Sequence, residues 1–277
     1  MPEAGAGRML GRIMLFRQLV HRPSSTFSYL VASRAGGEAL LIDPVADQLE
    51  LYLRLLDALE LRLAFALDTH FHTDHTSALE ALRERTQCIA ARGEGGPADS
   101  FACAVSDGEI LDIDGLELTA LHTPGHTADS YSFVMDDRVF TGDTLLIRGT
   151  GRTDQGGDAR VQYESLFGKL LTLPGRTLVY PAHDYNGRHV SNIADERRLN
   201  PRLQVASAEE YAALMQNVTP ESPLHMDVVN DSCLRPSGML IQQLASLRAA
   251  LAPADNFPTS FSARSAAHSS RGGVDSR

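Results

Sequence analysis

The stretch His70-Phe71-His72-Thr73-Asp74-His75 places three imidazoles and one carboxylate within six residues. An apolar run at residues 63–67 closely precedes it and predicts a buried strand. The strand is then followed by a polar turn. A short turn at a strand end can point alternate side chains at one place. Histidine with aspartate is a ligand set that borderline divalent metals prefer. The stretch therefore predicts a metal site.

Three later segments repeat this pattern of a polar ligand just past an apolar strand. Pro124-Gly125 predicts a tight turn that presents His126, a strand at residues 138–141 leads to Asp143, and a buried strand at residues 177–180 leads to His183. Strand ends along one edge of a sandwich converge, so we expect these side chains to meet the first cluster. Each segment alone is a weak signal, whereas the four together are a strong one.

The composition excludes several classes of function. The chain has 277 residues, is 43% hydrophobic and can bury one large α/β core or two small ones. A net charge of −10 disfavours nucleic acid and anionic membranes as partners, and the absence of Trp with only 6% aromatic residues disfavours a base-stacking platform. No apolar run approaches the roughly 18 residues of a membrane span.

Cysteine usage and the N-terminus bear on the compartment. Cys88, Cys103 and Cys233 are widely spaced and odd in number, which supports neither a disulfide framework nor a metal clip. We expect Cys88 on a strand and Cys103 in a helix. The first residues lack a secretory signal pattern, so a reducing, cytoplasmic location is expected, or a mitochondrial one in a eukaryote.

Strands and helices alternate in each half of the chain, with antiparallel strand pairs between the halves. Two sheets packed face to face with helices outside would bury such elements. Strands are predicted at residues 26–32, 38–43, 63–67, 88–91, 109–113, 116–121, 130–135, 138–141 and 177–180, and helices at 47–61, 76–86, 161–173, 190–199 and 207–216. We expect a flexible N-terminus at 1–13, one domain at 14–251 and a disordered tail at 252–277.

The order of the four motifs resembles the metallo-β-lactamase superfamily. The resemblance covers roughly residues 14–236 and implies an α/β fold, the αββα four-layer sandwich, with the metal site on one edge. Within the superfamily, residues 141–154 (TGDTLLIRGTGRTD) and 180–187 (YPAHDYNG) are similar to persulfide dioxygenases, also called sulfur dioxygenases, which are related to glyoxalase II. The stretch at 146–154 is specific to that branch, whereas the first His cluster is specific only to the superfamily.

The resemblance implies a ligand set for each of two possible metal sites. In the persulfide dioxygenases one ferrous ion is held by the residues that correspond to His70, His126 and Asp143. The remaining polar residues of the four motifs would then orient the ligands, or would hold a second metal, as in glyoxalase II. Those residues are His72, Asp74, His75 and His183.

The implied reaction is the oxidation of glutathione persulfide by O₂ to sulfite and glutathione at a mononuclear non-haem Fe(II) site. The alternative is a dinuclear hydrolase of glutathione thioesters of the glyoxalase II type, with zinc or mixed metals. A non-catalytic metal-binding or redox-sensing module is a third interpretation. The family also suggests a homodimer.

Four residues are candidates for contact with the substrate. Arg152 and Tyr185 match family positions near the thiol, although Arg152 could instead pin its own loop to Asp154. Thr127 could bond substrate or only cap the turn beside His126. Cys233 matches a family segment near the pocket, but it could equally be a small buried side chain.

Overall fold

Twelve strands form two six-stranded sheets in the computed structural model, which describes residues 14–96, 102–185 and 187–218. The first sheet has the strand order β1 to β6, and its members follow one another along the chain. Its strands are β1 (Leu15–His21), β2 (Thr26–Ala32), β3 (Glu38–Ile42), β4 (Arg62–Leu67), β5 (Ile89–Gly93) and β6 (Cys103–Val105).

The second sheet has the order β12-β11-β10-β9-β8-β7. Strands β10 and β11 pair in parallel, and the other neighbours in this sheet pair antiparallel. Its strands are β7 (Ile110–Ile113), β8 (Leu116–His122), β9 (Tyr131–Val134), β10 (Arg138–Gly142), β11 (Leu178–Pro181) and β12 (Ser191–Asn192).

Five α-helices cover the outer faces of the sheets in the part of the chain that the structure describes. A π-helix (Glu164–Lys169) continues α3, and short 3₁₀ turns lie at Ala46–Gln48, Leu170–Thr172 and Pro201–Leu203. The α-helices are α1 (Leu49–Ala58), α2 (Leu79–Thr86), α3 (Ala159–Tyr163), α4 (Ile193–Leu199) and α5 (Ala208–Met215).

Three apolar clusters separate the four layers. Strand β2 is buried on both faces because alternate side chains enter different clusters: Phe27 and Tyr29 lie between the sheets, whereas Leu30 packs under α1 and α2. Strand β10 divides in the same way, with Phe140 between the sheets and Val139 under the helices of the second half. These are the layers of an αββα sandwich, as the resemblance implies.

The structure corrects several of the local predictions. Cys103 begins strand β6 and is exposed, so the helix expected there is wrong; the segment pairs in parallel with β5, a long-range contact that local pattern does not reveal. Cys88 lies one residue before β5. Strand β1 was not predicted.

Two predicted helices also differ from those observed. The helix expected at 161–173 begins at Ala159, where Asp158 accepts from Arg160 and Val161 as an N-cap, and it then changes to π and 3₁₀ geometry. The helix expected at 190–199 begins only at Ile193, after the short edge strand β12.

Some predictions lie wholly or partly outside the described residues. These are the flexible segment at 1–13, the domain end at 219–251 and the tail at 252–277. Among the described helices, none has both the length and the apolar character that a bilayer crossing needs.

Candidate metal centre and active site

The four ligand-bearing turns lie at one edge of the sandwich. His70 follows β4 by three residues, and His126 follows β8 in the Pro124-Gly125 turn. Asp143 comes directly after β10, and His183 follows β11. Backbone hydrogen bonds tie the two sheets together here, from Tyr131 N to Thr69 O and from Phe27 N to Ala182 O, each at 2.7 Å. The strand ends therefore bring together side chains that are more than 100 residues apart.

His70, His126 and Asp143 form a three-donor cluster. One ligand atom from each lies within 4.8 Å of the others. The His70 and His126 rings are 4.9 Å apart and nearly perpendicular, and His126 Nε2 lies 3.6 Å from Asp143 Oδ2. His70 is buried, whereas the other two are half-buried and open toward solvent. One face of the cluster is therefore accessible.

Each of the three donors is oriented by a hydrogen bond from outside the cluster. His126 Nδ1 lies 2.7 Å from the Arg152 carbonyl, which requires a proton on Nδ1 and leaves Nε2 as the donor to a metal. Asp143 Oδ1 lies 2.7 Å from His183 Nδ1, and Oδ2 faces His126. The geometry thus presents unprotonated atoms toward a common point.

The protonation states suit a metal as well. Burial, with the neighbouring imidazole of His72, lowers the pKa of His70 to about 3. Burial alone would raise the pKa of Asp143, but the charge and hydrogen bond of His183 and the nearby His126 hold it well below its usual range. At pH 7 His70 is then a neutral imidazole and Asp143 an ionised carboxylate, which are the metal-binding forms of these two residues.

A second group of donors lies beside the first. Ligand atoms of His72, Asp74 and His75 also fall within 4.8 Å of one another. His72 Nδ1 and His75 Nε2 are buried, and among the described residues neither has a hydrogen-bond partner. Unpaired buried ring nitrogens are unusual, and they fit a cation or a water at this position.

His183 connects the two groups. Its Nδ1 contacts Asp143 and its Nε2 lies 3.0 Å from Asp74 Oδ2. Burial would lower the pKa of His183, but the two carboxylates outweigh it and raise the pKa to about 10. In this arrangement His183 is an imidazolium between the two carboxylates, and its role as a ligand of a second metal stays a prediction.

The comparisons with known proteins agree with this geometry. The family model of the metallo-beta-lactamase superfamily matches residues 21–102 and 104–183. The chain belongs to this superfamily.

Two relatives narrow the relationship within the superfamily. The chain is 39% identical over 242 residues to the mitochondrial persulfide dioxygenase ETHE1 of Mus musculus, covering 83% of this chain and 94% of that protein. It is 44% identical to the crystal structure of ETHE1 from Myxococcus xanthus, with a TM-score of 0.72, covering 79% of this chain and 98% of that one.

A more distant structure is that of TTHA1623 in a di-iron-bound form. It is 27% identical to this chain with a TM-score of 0.56, and the match covers 66% of this chain and 98% of that one. Within the superfamily the fold is therefore compatible with two iron ions.

A cavity of about 200 Å³ opens beside Asp143. Both apolar side chains and charged or hydroxyl groups line it. The polar lining includes Arg152, Asp154, Tyr185 and Arg202. The cavity thus combines an apolar surface with convergent polar groups, as small-molecule sites do.

Arg152 and Thr127 are both held by local bonds. Arg152 makes a bidentate ion pair with Asp154, at 2.6 and 2.7 Å, so its guanidinium pins its own loop at the cavity wall. Thr127 Oγ1 lies 2.7 Å from Ser130 Oγ, and Ser130 Oγ also accepts from the Thr127 N–H, which caps the turn. Contact of either residue with substrate stays a prediction.

Tyr185 is half-buried with its ring parallel to that of His183 at 6.0 Å, and it faces the cavity. Its contact with substrate also stays a prediction. Cys233 lies outside the described residues.

Two groups of residues at this edge were not assigned a role from the sequence. Arg202 reaches the cavity wall from the Pro201–Leu203 turn and donates to the Thr150 carbonyl. Asp43 and Thr69 support His70 from behind. In the sequence, Asp43 stands at the end of β3 and Thr69 stands next to the candidate ligand His70. Neither position shows which residue the side chain would bond.

Proposed function

We propose that the protein is a persulfide dioxygenase that oxidises glutathione persulfide with O₂ at one ferrous ion held by His70, His126 and Asp143. The observation that carries this is the two-imidazole, one-carboxylate cluster with an accessible face, in a chain about 40% identical to persulfide dioxygenases over most of its length. This donor set is the one that non-haem Fe(II) oxygenases use.

The reaction balances as one persulfide, one O₂ and one water giving glutathione and sulfite. The S–S bond breaks, and the terminal sulfur acquires three oxygens, two from O₂ and one from water. Four electrons pass from the persulfide to O₂, and the glutathione sulfur leaves as the thiol. A bound ferrous ion supplies the redox chemistry and the open coordination positions that allow O₂ and sulfur to react.

The residues of the chain orient the reacting groups and control charge. The Arg152 carbonyl fixes the ring of His126, and the imidazolium of His183 keeps Asp143 ionised. Leu146 and Ile147 give part of the cavity an apolar surface. The oriented donors and this cavity together would receive an anionic substrate.

The cavity wall suits the glutathione part of the substrate. Glutathione carries two carboxylates, and the guanidiniums of Arg152 and Arg202 both reach this wall. Arg152 uses Nε and Nη2 on the exposed Asp154, which leaves the N–H donors of Nη1 for a substrate carboxylate. Tyr185 adds a hydroxyl donor, and Thr127 and Cys233 stay further candidates for contact.

A second candidate function is hydrolysis of a glutathione thioester at two metals. The unpaired buried nitrogens of His72 and His75 favour it, since they could ligate a second cation beside the first. The di-iron form of TTHA1623 shows that a related fold holds two irons. Two zinc ions or mixed metals would generate a bridging hydroxide for attack on the thioester.

The deciding experiment measures O₂ uptake by anaerobically iron-loaded protein given glutathione persulfide, with metal counted on the same sample. We expect rapid uptake, sulfite as the product and about one iron per chain. His126→Ala should abolish uptake and lower the bound iron. His122→Ala is the matched control, because His122 lies four residues earlier and its ring bonds the Ala128 carbonyl, outside the donor clusters.

Different outcomes separate the two candidates. No O₂ uptake, two metals per chain and hydrolysis of S-D-lactoylglutathione would overturn the dioxygenase and support the thioesterase. Tight metal binding with neither activity would support a binding or sensing module. A homodimer stays a prediction, which light scattering on the eluted protein tests.

A further inference from the structure

Thr69 lies between a buried carboxylate and a metal ligand. Its side chain is almost fully buried, with Oγ1 3.1 Å from Asp43 Oδ2 and 3.0 Å from His70 Nδ1. The Thr69 N–H also donates to Asp43 Oδ1 at 2.7 Å. Asp43 therefore holds both the backbone and the hydroxyl of the residue that precedes His70.

The chemistry of these groups determines the direction of each hydrogen bond. A carboxylate only accepts, so the single hydroxyl proton of Thr69 goes to Asp43. The hydroxyl oxygen can then only accept from His70, and the proton of the neutral ring must sit on Nδ1. The lone pair of His70 is consequently on Nε2, which is free for a metal.

The same carboxylate acts directly on His72. His72 Nε2 lies 3.1 Å from Asp43 Oδ1, so Nε2 carries the ring proton and donates it. The other nitrogen, Nδ1, is the buried atom without a hydrogen-bond partner among the described residues. One carboxylate thus selects opposite tautomers in two nearby histidines. The hydroxyl of Thr69 lies between Asp43 and His70, whereas Asp43 bonds His72 directly.

We propose that Thr69 is a positioning residue: its hydroxyl links Asp43 to His70 through two hydrogen bonds and so sets the Nδ1–H tautomer of His70. Asp43 sets the Nε2–H tautomer of His72 by a direct hydrogen bond. The inference rests on the metal site of the proposed function but not on its substrate. Thr69 touches no substrate and acts only through the ring of His70.

The packing around Thr69 keeps the hydroxyl in place. Gly142 has a φ of +52°, and a Cβ at that position would lie 2.6 Å from Thr69 Oγ1 and 2.8 Å from its Cβ. Gly142 directly precedes Asp143, so Thr69 fills the space beneath the strand end that carries a second ligand. This close approach of the two segments is possible only because position 142 has no side chain.

The test is ¹⁵N–¹H correlation of the histidine rings in the full chain loaded with zinc, which is diamagnetic. In the wild type we expect a protected Nδ1–H on His70 and an Nε2–H on His72. Thr69→Val keeps the shape but removes the hydroxyl. The His70 Nδ1–H should then exchange rapidly with water, and zinc affinity should fall about 10- to 100-fold.

Two comparisons distinguish this relay from a merely structural role. His72 should keep its Nε2–H signal in Thr69→Val, because its bond to Asp43 is direct. Thr69→Ser, which restores only the hydroxyl, should recover both the His70 signal and the zinc affinity. A general loss of structure would disturb both rings and would not be rescued by serine.

Several outcomes would overturn the proposal. A wild-type spectrum with the proton of His70 on Nε2 would do so without any variant, which also covers the case in which Thr69→Val fails to fold. Unchanged His70 signals and affinity in Thr69→Val, or no recovery in Thr69→Ser, would have the same effect. The expected tautomers in a protein without O₂ uptake would leave this inference standing and refute the dioxygenase.

Discussion

At the scale of single residues, negative and positive side chains alternate at the edge of the sandwich that carries the ligand-bearing turns. Asp143 and Asp74 flank the imidazolium of His183, and burial lowers the pKa of the nearby His70 and His72. Buried carboxylates are tolerated only when they are paired and hydrogen-bonded. The same rule applies to the buried carboxylate of Glu196, which is bonded by Arg148.

The side chain of Arg148 forms an ion pair with Glu196. Glu196 is fully buried and accepts from the Arg148 backbone N–H at 2.9 Å, from its guanidinium and from Asn200 Nδ2 at 2.9 Å. Arg148 itself has a φ of +62°, a conformation that this ion pair helps to hold. These bonds support a structural ion pair for Arg148 rather than contact with substrate.

We therefore predict that Arg148→Ala lowers stability without a specific effect on catalysis. Leaving the buried Glu196 carboxylate uncompensated should cost about 3–5 kcal/mol. Urea unfolding followed by circular dichroism measures this. Arg62→Ala is the control, since its partner Glu38 is a surface residue and the cost should stay below about 1 kcal/mol.

The opposite pattern would reassign Arg148. If Arg148→Ala unfolds at the wild-type urea concentration but raises KM for the persulfide, Arg148 contacts substrate. O₂ uptake is compared per folded protein, so that a loss of stability is not read as a loss of catalysis.

At the scale of elements, the loop between β10 and α3 packs back against Asp143, at the end of β10. The N–H of Gly151 donates to the Asp143 carbonyl at 2.6 Å, and a Cβ on Gly151 would lie only 2.2 Å from that oxygen. Such a contact is impossible without movement of one backbone segment. The absence of a side chain at position 151 is thus what allows the loop to close on the ligand.

We predict that Gly151→Ala moves Asp143 and lowers kcat/KM by about 100-fold, since a displacement of about 1 Å in a site has effects of this order. Bound metal per chain should fall with it. Gly168→Ala is the control, because a Cβ there meets nothing closer than 4.0 Å. Equal activity and metal content in both variants would show that the loop adapts without moving Asp143.

At the scale of the whole molecule, helix α5 is joined to the site by a buried polar network. Tyr211 Oη donates to Gln162 at 2.8 Å and lies 2.9 Å from Thr150 Oγ1, and Gln162 Nε2 donates to the Gly151 carbonyl. Three segments distant in sequence are therefore linked through one phenol. Burial raises the pKa of Tyr211 to about 12, and the bond with Thr150 only partly offsets this.

This pKa predicts a loss of stability at alkaline pH. The raised pKa means that the folded state favours the neutral phenol, so its contribution is complete below the unfolded pKa near 10 and disappears as the pH rises through 12. Over these two units the loss is on the order of 2 kcal/mol. Other tyrosines also titrate at alkaline pH, among them Tyr52, whose pKa burial raises to about 12, so the contribution of Tyr211 is measured as a difference from a variant.

Tyr211→Phe should therefore show a flatter decline in unfolding free energy between pH 10 and 12 than the wild type. At pH 7 it should be less stable by about 1 kcal/mol, because Thr150 and Gln162 lose a partner. Urea midpoints by circular dichroism are measured at each pH, since the chain has no Trp for fluorescence. Parallel curves for the two proteins would contradict the prediction.

The sequence alone was sufficient for the layered fold and for naming the candidate donors that the structure brings together. Most strands and helices were predicted to within a few residues, because period-two and helical patterns of burial are local. The placement of His70, His126, Asp143 and His183 just past strand ends was also visible, since each follows an apolar run. Their convergence then followed from the rule that strand ends share an edge.

Only the tertiary structure decided which groups bond each donor and in which direction each hydrogen bond runs. Thr69 meets Asp43 across 26 residues, His126 is oriented by a backbone carbonyl, and Arg152 is occupied by Asp154. Strand β6 at Cys103 likewise exists only through pairing with β5. Residue types and local spacing carry no information on such contacts, because they depend on where distant segments of the chain come to lie after the sheets have packed.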